Sequence, residues 1–115
     1  MVIDFAQIPF QPKRAFLVFD TPENQIRGEH AHIMCKQFLV CVKGEIRVTL
    51  EYSFKHTETH LLKEGEGCFI DTLVWGKQEF ITDDSILLVF ASLEYKESDY
   101  IRDYEAFKKI VNRVI

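Results

Sequence analysis

The segment EIRVTLEY (45–52) alternates without a break: Ile46, Val48, Leu50 and Tyr52 fall on one side, Glu45, Arg47, Thr49 and Glu51 on the other. Side chains of an extended chain point alternately to opposite faces, so this spacing predicts a half-buried strand. Shorter apolar runs predict further strands: RAFLVFD (14–20), QFLVCV (37–42), ETHLL (58–62), GCFI (67–70) and SILLVFA (85–91), several of them carrying β-branched or aromatic residues. Turn formers separate them, in TPEN (21–24), Lys43-Gly44-Glu45, KEGEG (63–67) and TDDS (82–85). Short strands at intervals of about 8 to 12 residues define an all-β, antiparallel sandwich or barrel. Only the tail DYEAFKKIVNRVI (103–115) departs from the pattern. There Phe107, Ile110, Val111 and Val114 recur at helical spacing behind Asp103, a residue suited to an N-cap, which predicts a short C-terminal α-helix packed on the barrel or on a second subunit. No repeat, linker or low-complexity segment interrupts the 115 residues, so residues 1–115 read as one domain.

Composition narrows the class. An apolar fraction of 47% and a charged fraction of 28% suit a globular protein that builds its core without staples. No apolar run approaches the roughly 20 residues of a membrane helix, and MVIDFAQIPF lacks a basic stretch followed by a long apolar one, so a cytoplasmic location is expected. Cys35, Cys41 and Cys68 are odd in number and lack CxxC spacing, which suggests reduced, packed thiols. A net charge of −4 argues against nucleic acid as partner. It leaves room for a small anion if Lys13, Arg14, Arg27, Lys36 and Arg102 cluster locally.

The chemistry concentrates in RGEHAHIMCKQF (27–38), where His30 and His32 stand one residue apart and so share a face of any strand. The first half of the cupin jelly-roll signature, glycine then HxH with an acidic residue and a second glycine downstream, is partly kept: Gln37 occupies the acidic position and Gly44 the glycine. In the second half, counted from Gly65, Asp71 takes the place of a proline, Leu73 that of a glycine and Gly76 that of the third histidine. Two imidazoles with an amide instead of a carboxylate make a weak metal site, so no metal is expected. Imidazoles titrating near 6.5 are suited to taking and giving protons, or else are core histidines bonded to backbone.

IPFQPKR, RGEHAH, SILLVFAS and above all YKESDYIRDYEAF closely resemble the dTDP-sugar 3,4-ketoisomerases, from about Ile8 to Phe107. The resemblance implies a cupin jelly roll that isomerises dTDP-4-keto-6-deoxyglucose to the 3-keto sugar without metal or cofactor, supplying 3-amino-3,6-dideoxy sugars for lipopolysaccharide or other surface glycans. It implies a dimer that exchanges N-terminal strands. It also makes His30 and His32 the acid/base pair, with His32 as the main base and His30 relaying protons or polarising oxygen. Arg27 would support an enediolate or bind diphosphate, and Arg14 is a second diphosphate candidate. Gln37 would bond a sugar hydroxyl or orient a histidine, or else be structural, and Trp75 would stack on a base or sugar or else pack in the core or an interface. Tyr100, Arg102 and Asp103 would order the helix junction or the dimer. The chain departs from the family in reading Phe16-Leu17 where a tyrosine pair is common, and Trp75-Gly76-Lys77 where Trp-His-Glu is common.

Three other readings compete with the isomerase: a sugar-nucleotide 3,5-epimerase, a non-catalytic sugar-nucleotide-binding domain compatible with Leu17 and Gly76, and a metal-dependent cupin. His56 and His60, four apart in FKHTETHLL, read as a solvated hairpin rather than as metal ligands, and the cysteines as packing rather than nucleophiles.

Overall fold

The computed structural model describes residues 1–53 and 56–112. Its strands are β1 (Arg14–Val18), β2 (Gln25–His32), β3 (Gln37–Lys43), β4 (Ile46–Glu51), β5 (Thr57–Leu62), β6 (Gly67–Ile70), β7 (Trp75–Phe80), β8 (Ile86–Ala91) and β9 (Tyr100–Ile101), followed by helix α1 (Tyr104–Val111). They form two antiparallel sheets, one in the order β1-β8-β3-β6 and the other in the order β5-β4-β7-β2-β9. Sequence-distant strands lie side by side, β8 between β1 and β3 and β7 between β4 and β2, as jelly-roll crossovers require.

The alternation read in β4 is the alternation observed: Ile46, Val48 and Leu50 are buried, while Arg47 points outward and pairs with Glu79 of β7 at 2.8 Å. These inner residues meet Leu39 and Cys41 of β3 and Leu87 and Val89 of β8 in the core between the sheets. A second apolar layer covers the outside of the first sheet, where Ile8 of the N-terminal segment packs on Val40 and Phe90. The third lies under α1: Phe107 and Val111 seal Ala31, Trp75 and Ile101 on the outside of the second sheet. Asp103 caps that helix by accepting from the Glu105 amide, as its position suggests, and Ile110 is 38% exposed at the edge of the apolar stripe. Val114, and Phe54 and Lys55 of the hairpin stretch, lie outside the described residues.

Three strands carry little apolar signal. β2 reads as polar because β2 holds the chemical residues, and β7 because its inward positions before Phe80 are Gly76 and Gln78. β9 is only two residues long and exists because it pairs with the end of β2, Ala31 opposite Ile101 and His32 opposite Tyr100.

Candidate active site

The site lies where β2 passes from its pairing with β7 to its pairing with β9. A bulge interrupts β2 between Gly28 and His30, leaving Glu29 as the extra residue at φ 53°. Gly28 is obligatory there for two reasons: its φ is +88°, and a Cβ would stand 2.8 Å from Gln78 Oε1. Because one residue is extra, Arg27, paired with Gln78, comes to share the inner face with His30, paired with Gly76. The carbonyl of Gly28 accepts the His30 Nδ1 proton at 3.0 Å.

Beyond the bulge, Ala31 turns outward beneath the helix while His30 and His32 point into one end of the sandwich. Their ring centroids are 4.9 Å apart. Tyr100 closes over both, 4.3 Å from the His32 ring and 5.0 Å from that of His30, and the Arg102 guanidinium lies over the Tyr100 ring, 4.2 Å from its centroid. Arg102 is held by Glu97, which also accepts from the Tyr95 hydroxyl. The His32 backbone is pinned from the far side by the Leu73 amide, which donates to its carbonyl at 2.7 Å.

The two imidazoles differ in what faces Nδ1. His32 Nδ1 donates to Asp99 Oδ2 at 3.0 Å, and both groups are buried. A carboxylate has no proton to give, and a backbone carbonyl has none either, so each ring carries hydrogen on Nδ1 and bears its free lone pair on Nε2. His32 Nε2 is buried without a hydrogen-bond partner among the described residues. Burial lowers the pKa of both rings. For His30 only the Gly28 carbonyl and the more distant Glu97 oppose it, and the value falls to about 4. For His32 the Asp99 carboxylate opposes burial, with Arg14 and Arg102 pushing further down.

From the facing sheet comes Arg14. It stands opposite Ala91 in β1 and β8, and Gln37 of β3 stands opposite the same Ala91 from the other side. Directly opposed residues share a face, so Arg14, Ala91 and Gln37 form one inward level. Gln37 is 5% exposed and shares its face of β3 with the core residues Leu39 and Cys41. The Arg14 guanidinium lies 5.2 Å from the Phe16 ring and 5.6 Å from that of Tyr95, and its Nε is buried without a partner among the described residues.

Not every residue named from the sequence joins this constellation. Trp75 takes the packing alternative: alternation along β7 turns Gly76 inward and Trp75 outward, where it packs edge-on against Tyr104 and tilted against Phe107, on the opposite side of the sheet from the imidazoles. Arg27 shares the inner face but is exposed, whereas Arg14 is half-buried, with its Nε shielded from water and its charge felt by His32. Of the residues read from the sequence as ordering the helix junction or the dimer, Tyr100 stands over the histidines and Arg102 over Tyr100. Asp99 was not singled out at all. Its only sequence signal is its place directly before Tyr100 in the family-like block, since a contact across 67 positions leaves no local pattern.

His56 and His60 flank Glu58 on β5, both exposed and both bonded to it. Burial raises the Cys41 and Cys68 thiols to about 11, which keeps them protonated and unfit as nucleophiles. Among the described residues, His32, Cys35 and Asp99 offer ligand atoms within 4.8 Å of one another, yet both oxygens of Asp99 already accept hydrogen bonds from the protein. Gly76 leaves the place opposite His30 without a side chain, and a Cβ there would meet Ile70 Cδ1 at 3.2 Å.

Two antiparallel sheets enclosing a paired-imidazole site at one end, with one short C-terminal helix, define a small cupin-like protein. Residues 1–112 match the family described as FdtA: WxcM-like, C-terminal, and the chain belongs to that family. It is 37% identical over 107 residues to the TDP-4-oxo-6-deoxy-alpha-D-glucose-3,4-oxoisomerase of Aneurinibacillus thermoaerophilus, covering 93% of this chain and 77% of the relative. A variant of the 3,4-ketoisomerase QdtA from Thermoanaerobacterium thermosaccharolyticum, solved in complex with TDP-4-keto-6-deoxyglucose, superposes with a TM-score of 0.87 at 28% identity, over 96% of this chain and 80% of that one. WlaRA, a TDP-fucose-3,4-ketoisomerase from Campylobacter jejuni, superposes with a TM-score of 0.85 at 29% identity, over 92% and 78%.

Proposed function

We infer that the protein is a 3,4-ketoisomerase acting on a dTDP-linked 4-keto-6-deoxyhexose, with residues 1–115 forming one catalytic domain. The observation that carries the site assignment is the unpartnered, buried Nε2 of His32, whose opposite nitrogen is held by Asp99. The C4 carbonyl acidifies the C3 hydrogen. His32 Nε2 takes that proton, the electron pair of the C3–H bond forms the C3–C4 double bond, and the C4 oxygen takes up the charge. The enediol then collapses in the other direction: the proton goes to C4, and the C3 hydroxyl loses its hydrogen to become the carbonyl. His30, kept neutral by its low pKa, accepts a hydrogen bond at Nε2 from the hydroxyl and guides its hydrogen as it moves directly from the C3 oxygen to the C4 oxygen. The reaction moves hydrogens within one sugar and requires no external oxidant or reductant.

Arg14 supplies the positive charge that the enediolate or the adjacent diphosphate demands, and Arg27, exposed on the same inner face, reaches the diphosphate from the rim. Gln37 bonds a sugar hydroxyl from the level of Arg14. The protein works as a homodimer. Leu17, Phe19, Met34 and Tyr95 are each more than half exposed, large apolar side chains that a partner would cover. β1 pairs with β8 of its own chain, and an exchanged strand would make the same contacts across the dimer. No helix among the described residues is long and apolar enough to cross a membrane, and its substrate class points to the cytoplasm.

The test is incubation with dTDP-4-keto-6-deoxyglucose in D2O followed by proton NMR. A new 3-keto sugar with deuterium at C4 establishes the isomerase, and its couplings give the galacto or gluco configuration. Deuterium at C3 and C5 with the carbonyl still at C4 would make the protein an epimerase. An unchanged spectrum despite nucleotide binding would make it a binding domain. His32→Asn should lose turnover by at least about 100-fold while still binding the nucleotide, the usual scale for a general base.

A further inference from the structure

Asp99 is buried at the end of a 3-10 turn, Glu97–Asp99, and immediately precedes β9. Its Oδ1 accepts from the Met34 amide at 2.7 Å, and its Oδ2 accepts from the Cys35 amide at 3.1 Å and from His32 Nδ1 at 3.0 Å. Its own carbonyl accepts from the Ile33 amide at 3.0 Å. Three donors from residues 32–35 therefore converge on one carboxylate, and a fourth reaches its backbone. The strand pairing that lays Tyr100 opposite His32 fixes the residue before it at the same place.

We propose that Asp99 is the positioning residue of the isomerase, holding His32 as the Nδ1–H tautomer with its Nε2 lone pair turned to the sugar and giving the imidazolium a counter-charge when the C3 proton arrives. The proposal rests on the isomerase reading. Both oxygens accept from backbone amides and a carboxylate has no proton to give, so Asp99 accepts from His32. His30 has a carbonyl at the equivalent point, which fixes the same tautomer but offers no net charge. That difference divides the labour: a proton lands on the ring backed by the carboxylate, while the other ring stays neutral and handles hydroxyl hydrogens. The remaining groups around His32 oppose its protonation or carry no charge. Arg14 approaches from β1 and Arg102 from beyond β9, His30 is the neighbour on β2, and Tyr100 covers the ring. Asp99 is the acid among them that bonds the imidazole directly.

Asp99→Asn removes the charge and places an amide NH2 where an acceptor stood. If that NH2 faces His32, the ring must accept at Nδ1 and carry its hydrogen on Nε2, where it can no longer take a proton. The expected result is a fall in kcat of about 10³-fold with KM changed only a few-fold, the scale seen when an aspartate that orients a catalytic histidine is replaced by asparagine. The acidic limb of the kcat/KM profile should move to lower pH, because the imidazolium has lost its counter-charge. Ser92→Ala is the control. The Ser92 hydroxyl accepts from the Lys36 amide at 2.8 Å and steadies the same turn without touching His32. A merely structural Asp99 would predict like effects for the two variants. Nitrogen-15 NMR of the wild-type imidazoles provides a measurement that needs no variant to fold: His32 should be the Nδ1–H tautomer at neutral pH. The Nε2–H tautomer in the wild type, Asp99→Asn retaining more than a third of wild-type kcat, or Ser92→Ala reproducing its shifted pH limb would each overturn the proposal. A wild-type protein without isomerase activity but with the Nδ1–H tautomer at His32 would sink the enzymatic reading and leave the Asp99–His32 arrangement standing.

Discussion

Arg14 and Arg27 show what burial does to two residues of the same kind. Both guanidiniums were candidates for anion binding from sequence, and both fall on the inner face, but only Arg14 is half-buried, with its Nε shielded from water and unpartnered among the described residues and aromatic rings on its flanks. A charge in such a place has lost hydration that a substrate oxygen can restore, so its contact with an anion is worth more than the same contact at the rim. A hydrogen bond to a charged group is worth about 1.5–3 kcal/mol, and the lysine lacks the planar fork and the ring stacking. Arg14→Lys should therefore lower kcat/KM by about 10- to 100-fold, whereas Arg27→Ala should raise KM a few-fold and leave kcat nearly unchanged. Arg14 also holds the His32 pKa down, so Arg14→Ala should move the acidic limb of the pH–rate profile upward, the reverse of the shift expected for Asp99→Asn. Equal losses for the two arginines in steady-state kinetics would refute this ordering.

The β2 bulge and helix α1 are the elements that aim the site. The bulge sets the register of His30, and a methyl group at Gly28 would combine a left-handed φ with a collision at Gln78. Gly28→Ala should cost about 1–3 kcal/mol in urea unfolding and turn His30 away from Gly76, visible as a changed imidazole spectrum. Helix α1 acts from behind: Phe107, fully buried, presses Ala31 and Ile101 together, and those are the outward partners of the strand pair that carries His32 and Tyr100. Phe107→Ala should destabilise by about 3–5 kcal/mol, read by the same melts. How far such elements are legible in sequence depends on what their residues do. β4 and β8 bury one face of ordinary apolar side chains, so their periodicity reveals them, and the helix reveals itself through Asp103, Phe107 and Val111. β2, β7 and β9 spend their inward positions on His30, His32, Gly76, Gln78 and Tyr100, and so give up the apolar signature of a strand. The HxH spacing located half of the site. Asp99 and the partial burial of Arg14 arise from pairings between distant segments, which no local spacing records, and Trp75 was left between stacking and packing because alternation in β7 is invisible without its apolar half.

For the molecule as a whole, buried groups that refuse charge set the pH range in which the fold is stable. His30 titrates near 6.5 when unfolded but at about 4 when folded, so between those values the unfolded chain binds a proton that the native one does not. Stability therefore rises with pH across that window and is lost as pH falls from 6.5 towards 4, and His32, also lowered, acts in the same direction. Glu97 adds a later loss: its carboxylate, held by Arg102, is lowered from 4.5 to about 2, so its contribution disappears as pH falls through that lower range. The alkaline side is set by thiols. Cys41 and Cys68 ionise near 9 when unfolded and at about 11 when folded, so above pH 9 the native state retains protons that the unfolded state sheds, and stability declines towards pH 11. The melting temperature should form a plateau between about pH 6.5 and 9, with a shoulder on each side. His30→Gln should flatten the acidic shoulder between pH 6.5 and 4 without touching the alkaline one, and Cys41→Ala should weaken the alkaline decline without touching the acidic one. Calorimetric melts of the three proteins across this range decide the matter: an acidic shoulder unchanged in His30→Gln would mean that the imidazole beside the Gly28 carbonyl is not excluded from protonation by the fold, and the neutral role assigned to it in catalysis would fall with it.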